Sequence, residues 1–158
     1  MAARASDRPR VRVAALVLLG GQVVLVRHRA GSATYHLLPG GGVDYRETVE
    51  AALEREVREE TGLEVRLVRP LFVSDTIDPN GPRHVINLTF VAEVVGGSVT
   101  DAPEDPRVET VELVDPARLL ELDLRPPVAG ELAAAIAQGL DKAPARYLGS
   151  VFTPANKP

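Results

Sequence analysis

The run Leu38-Pro39-Gly40-Gly41-Gly42-Val43-Asp44-Tyr45-Arg46-Glu47-Thr48, followed by Val49-Glu50-Ala51-Ala52-Leu53-Glu54-Arg55-Glu56-Val57-Arg58-Glu59-Glu60-Thr61-Gly62-Leu63, decides the fold of this chain. Three consecutive glycines permit backbone paths that other residues avoid. Thr48 has the chemistry of a helix N-cap, Glu50 suits the first turn, and Gly62 is a natural stop, so the spacing predicts a helix that runs to Thr61. At about 100° per residue, Glu56, Glu59 and Glu60 project on the same side as Val49, Ala52 and Leu53. The three carboxylates therefore continue the face that the first turns bury, which is the opposite of a solvated acidic helix.

Like charges on an inward face repel one another and lose hydration, so something cationic must compensate them. Arg55 supplies one charge. A divalent ion suits three clustered carboxylates better, and all-oxygen ligation points to Mg²⁺, with Mn²⁺ as the close substitute, over zinc.

Outward from this segment, Val11 to Leu19 and Gln22 to His28 are β-rich runs joined by the turn pair Gly20-Gly21, and Ala30 to His36 reads as loop. Leu63 to Ile77 reads as extended chain interrupted at Pro70. Asp78 to Pro82 is a turn, and His84 to Val95 is a strand with clean alternation. An acidic loop, Thr100 to Arg107, precedes a strand at Val108 to Val114. A short helix at Ala117 to Leu122 and a second one from Pro126-Pro127 to near Leu140 follow, and Tyr147, Leu148, Val151 and Phe152 are expected to dock on the core. This order lacks strict βα alternation and predicts an α+β domain with a mixed sheet. The expected organisation is a flexible arm at 1–10, one domain at 11–152 and a tail at 153–158.

The 158 residues contain 18 Lys plus Arg against 22 Asp plus Glu, a net charge of −4 that disfavours nucleic acid and acidic membranes as partners. There is no Cys and no Trp, which excludes thiolate catalysis and zinc-finger or iron–sulfur sites and leaves little for base-stacking platforms. No stretch reaches the roughly 18–20 apolar residues of a membrane span, and the Arg-rich start lacks the apolar core of a secretory signal. A cytoplasmic protein is the expectation, and nothing in the sequence excludes a homodimer.

Gly41, five residues, Glu47, seven residues, then Arg55-Glu56-Val57-x-Glu59-Glu60-x-Gly62-Leu63 resembles the complete signature box of the Nudix hydrolases, with all nine defined positions filled. The resemblance implies an α/β/α sandwich and metal-dependent hydrolysis of a pyrophosphate bond in a nucleoside diphosphate linked to another moiety. Carried onto this sequence, Glu59 and Glu60 would be metal ligands and Glu56 a further ligand or the base. The Gly40 carbonyl would be another ligand, Arg55 would orient a carboxylate with Glu47 as its partner, and Gly41 would line the substrate site. Two positions depart from many relatives, which carry an aromatic residue where His36 stands and Gly where Arg46 stands. Both are expected at the mouth of the site.

Outside the box, Arg27 and Arg29 share a strand face and could grip phosphate oxygens, whereas His28 reads as structural or exposed and Arg83-His84 as a surface turn. Glu104, Asp105 and Glu109 lie where relatives often place an extra ligand or base, and Glu109 is marginally favoured for its strand setting. Tyr35 is the better candidate for stacking on a nucleobase, with Phe72 behind it and Phe90 more suited to the core. The expected substrate is ADP-ribose or a nucleotide sugar. The alternatives are a nucleoside triphosphate, canonical or oxidised, and a non-catalytic nucleotide-sensing module. An isoprenoid-type isomerase on this fold would need a catalytic Cys.

Overall fold

The computed structural model describes residues 7–152; the outer part of the expected arm, 1–6, and the expected tail, 153–158, lie outside the described residues. Nine strands and two α-helices follow in the order β1 (Arg10–Leu16), β2 (Leu18–Leu19), β3 (Gln22–Ala30), β4 (Ala33–Leu37), β5 (Gly40–Gly42), α1 (Val49–Thr61), β6 (Leu63–Ile77), β7 (His84–Gly97), β8 (Val108–Val114), α2 (Ala129–Gln138) and β9 (Arg146–Ser150). A 3-10 helix, Pro116–Glu121, stands where the short helix was expected.

One sheet has the order β5-β1-β7-β6-β9 and is mixed, with β1–β7 and β6–β9 parallel and the other pairs antiparallel. The second sheet is built on β3, which pairs with β2, β4 and β8. Alternation along β1 sends Val13 and Ala15, joined by Val17 just beyond the strand, into a core with Ala52, Leu53 and Val57 of α1. Ala14 and Leu16 point the other way, into a core with Leu132 and Ala135 of α2. Helices thus cover two opposite faces, the sandwich the sequence led us to expect.

Helix α1 forms as its sequence dictates: the Thr48 hydroxyl accepts the Ala51 N–H at 3.1 Å, and Gly62, in the left-handed conformation at φ 79°, closes the last turn. Other expectations need correction. The run from Val11 to Leu19 is not one hairpin arm; the Val17 carbonyl already accepts the Val24 N–H at 3.0 Å, and the chain changes sheets there. The expected loop Ala30 to His36 is largely strand β4, because the exposed edge of β3 recruits it, with Tyr35 opposite His28 and His36 opposite Arg27. Pro70 does not interrupt β6; register shifts between Leu67 and Phe72 absorb it. The docking segment after residue 141 contains β9, which adds to the β6 edge with Val73 opposite Tyr147.

Candidate active site

The box residues meet where α1 crosses the Gly40–Gly42 strand. Glu60 is 2% exposed, and its Oε2 accepts the Gly40 N–H at 2.8 Å. Burial is the largest influence on this carboxyl and, helped by the neighbouring charges of Glu56 and Asp105, pushes it up to about 7 against the pull of the Gly40 N–H and Arg12. Glu56, also buried, lies against Gly41 so closely that a Cβ on that glycine would fall 2.3 Å from its carboxylate. A side chain at this box position would therefore displace the Glu56 carboxylate. Glu59 is only half-buried, with 32% of its side chain exposed, so the inward face predicted for the three acids holds fully for two of them.

Arg55 ties these acids together. Its Nε and Nη2 reach the two Glu47 oxygens at 2.8 and 2.9 Å, a bidentate pair, while Nη1 reaches Glu56 at 2.7 Å and Glu59 at 3.4 Å. Its Nη2 also bonds the Gly42 carbonyl at 3.2 Å. Glu47 is held down to about 2 by Arg55, then by the Asp44 N–H, and Arg55 is raised in return, chiefly by Glu47. The expected partnership of Arg55 with Glu47 is present.

A second cation enters that the sequence reading missed. Arg12 of β1 donates to the Leu38 carbonyl at 2.9 Å and feels the charges of both Glu60 and Glu56. It lies beside the glycine strand, since β1 pairs Arg12 with Gly42 and Ala14 with Gly40. The hint in the sequence was a charged residue in an apolar strand.

Among the described residues, no three His, Asp or Glu side chains converge on a point where an ion could sit in the observed rotamers, because Arg55 Nη1 stands between Glu56 and Glu59. The donor set nevertheless suits a hard divalent cation. It is all oxygen, it is acidic, and it contains a buried carboxyl that neither the Gly40 N–H nor Arg12 restores to its ordinary ionisation. Rotation of Glu56 and Glu59 away from Arg55 would free Oε1 of the first and Oε2 of the second.

A cavity of about 470 Å³ opens against Glu60 and Gly40–Gly42, and Tyr35, His28, Arg8, Arg10, Arg12, Arg83 and Arg107 are among its other walls. A smaller one of about 160 Å³, between Asn87 and Pro126-Pro127, shares Arg12, Leu37 and Arg83 with it. His28, read from sequence as structural or exposed, is buried, and its Nε2 finds no hydrogen-bond partner. Burial lowers its basicity, as do Arg107 and Arg12, against the pull of Asp105.

The structure does not bring every expected residue here. Arg27 is spent on Glu109 at 3.0 Å and Glu112 at 2.7 Å, on the opposite face of β3 from His28. Arg29 pairs with Glu109 at the wall of an open recess that shares His28, Tyr35 and Arg107 with this cavity, which Arg29 itself does not line. Glu109 is consequently held below the usual carboxylate range, first by Arg29, which suits an ion-pair partner better than a base. Of the three acids near it, Asp105 is the one whose charge reaches Glu60 and His28; it is paired with Arg107 at 2.6 Å. His36 is absent from the mouth, because its Nε2 lies 2.9 Å from Glu112. Tyr35 does line the cavity, but Arg125 already covers its ring at 4.4 Å from the centroid, leaving less of it for a base. Phe72 is core.

The sequence model of the NUDIX domain matches residues 8–136. An ADP-ribose pyrophosphatase from Methanocaldococcus jannaschii is 32% identical over 108 residues, 66% of this chain and 63% of that protein. The NAD-capped RNA hydrolase NudC of Deinococcus radiodurans is 34% identical over 60% of this chain and 35% of its own length. The chain thus spans less than two thirds of either curated relative. A NUDIX hydrolase from Nitrosomonas europaea superposes with a TM-score of 0.73 at 22% identity, over 89% of this chain and 93% of that one.

Proposed function

This chain belongs to the Nudix hydrolase family, and on that premise we propose that it is a metal-dependent pyrophosphohydrolase acting on a nucleoside diphosphate joined to a further group. The observation that carries the proposal is the buried, undercompensated Glu60 beside Glu56 and Glu59, at the wall of a cavity that five arginines also line. Nudix hydrolases generally use a divalent metal; Glu56, Glu59, Glu60 and the Gly40 carbonyl are the groups that would hold it here, with Mg²⁺ the first choice. When bound, such an ion neutralises diphosphate charge and makes water a stronger nucleophile.

The chain's own residues do the rest. Gly40–Gly42 gives a wall without side chains, along which phosphate oxygens can approach the carboxylates. Arg55, anchored on Glu47, sets the positions of Glu56 and Glu59, and Glu56 serves as a further ligand or as the base that takes the proton of the attacking water. Arg12 flanks the wall and limits the charge repulsion between Glu56 and Glu60.

The likeness to an ADP-ribose pyrophosphatase favours ADP-ribose or a nucleotide sugar as substrate. A nucleoside triphosphate is the second reading, and the observation in its favour is the arginine lining of the cavity. The test is phosphate or pyrophosphate release over a nucleotide panel with Mg²⁺ and with excess chelator. Metal-dependent turnover of a diphosphate-linked nucleotide is expected. Undiminished turnover in chelator, or none with any nucleotide, would overturn the proposal.

A further inference from the structure

Five arginines line the main cavity, and Glu60 is the one acid among its lining residues. Arg12 and Arg107 have protein partners, the Leu38 carbonyl and Asp105. Among the described residues, the guanidinium groups of Arg8, Arg10 and Arg83 have neither ion pair nor hydrogen bond. Arg8 and Arg10 stand two residues apart, just before and at the start of β1, and Arg83 comes from the turn before β7, which the pairing of Arg10 with Val85 brings to the same cavity. Arg83 and Arg107 both oppose the charge on Arg12, so the gathering costs energy that an anion in the cavity would relieve. His28 adds an independent sign of a ligand: it is 8% exposed, it lines the same cavity, and its Nε2 is unpartnered.

The two phosphates of ADP-ribose would sit against the carboxylate wall and leave a neutral sugar to face three free guanidinium groups. We propose that Arg8, Arg10 and Arg83 form a subsite for a third phosphate, contiguous with the diphosphate that is cleaved, so that the cavity's own residues favour the second reading, a nucleoside triphosphate, over the ADP-ribose to which the likeness points. The proposal rests on the pyrophosphohydrolase function for the position of the cleaved bond, but not for the existence of the anion subsite. His28 Nε2 is the group placed to complete the subsite from the inner wall.

Two measurements separate these dependencies. In calorimetric titrations of metal-free protein, tripolyphosphate should bind about tenfold more tightly than pyrophosphate, and the R8A/R10A/R83A variant should lose that difference. In steady-state assays with Mg²⁺, the same variant should lose about tenfold or more in kcat/KM for a nucleoside triphosphate and less than about threefold for ADP-ribose. The three side chains lie at the cavity surface, so circular dichroism and Tm should match the parent protein. Equal binding of the two polyphosphates to the parent protein, or equal losses on both substrates, would overturn the subsite. Absence of hydrolysis of any nucleotide would overturn the function instead and leave the titration result standing.

Discussion

Gly40 donates its backbone N–H to Oε2 of Glu60 at 2.8 Å, joining the glycine strand to the last turn of α1 across twenty residues. That single bond is the closest stabilisation a carboxylate buried at 2% exposure receives, which is why its proton is retained up to about 7. The pH dependence of the metal-free protein follows. With a folded pKa raised above the unfolded value, the contribution of Glu60 is fully present below about 4.5 and is lost as pH rises through about 7. In chelator, the parent protein should therefore lose stability relative to Glu60→Gln between pH 5 and 8, by roughly 3 kcal/mol at most. Glu47, Asp105 and Glu109, whose pKa values are lowered, act with opposite sign and at more acidic pH. Parallel Tm profiles of the two proteins over that window would contradict the assignment.

Arg55 bridges Glu47, Glu56 and Glu59 through a planar fork that lysine cannot reproduce. Arg55→Lys is expected to reduce kcat by about ten- to a hundredfold with a smaller change in KM, because it mispositions the carboxylates without touching the substrate. Steady-state kinetics at saturating metal tests this. An unchanged kcat, or an effect confined to KM, would show that Arg55 binds substrate instead.

Arg46 adopts φ 66°, alone among the described non-glycine residues, at the position where many relatives carry glycine. Left-handed backbone costs a residue with a Cβ about 1 kcal/mol. Arg46→Gly should raise Tm by a few degrees and leave turnover within about twofold. A lower Tm, measured by differential scanning calorimetry, would mean that the Arg46 side chain contributes more than its backbone strain costs.

Helix α1 and its acids were legible because everything that specifies them is local: the Thr48 cap, the Gly62 stop and the 3.6-residue spacing that buries Ala52, Leu53, Glu56, Val57 and Glu60. What escaped depends on distant partners. Ala33–Leu37 has loop-like composition and becomes strand only because β3 offers an edge, and β9 exists only through parallel pairing with β6. Charges on strands read as solvent-facing, so Arg27 and Arg29 looked free for phosphate until β8 brought Glu109 and Glu112 beside them. By the same logic Arg12 was overlooked and Arg83-His84 was read as a surface turn, since nothing local shows that sheet register carries them to one cavity.

The most direct test of the central claim is hydrolysis in ¹⁸O-labelled water with product analysis by mass spectrometry. Carboxylates beside a wall that admits phosphate should direct water to phosphorus. With ADP-ribose the products should be AMP and ribose 5-phosphate, and with a nucleoside triphosphate they should be the monophosphate and pyrophosphate. In both cases the label should reside on a phosphate group. Label on a sugar carbon, or release of free base, would contradict cleavage within the diphosphate.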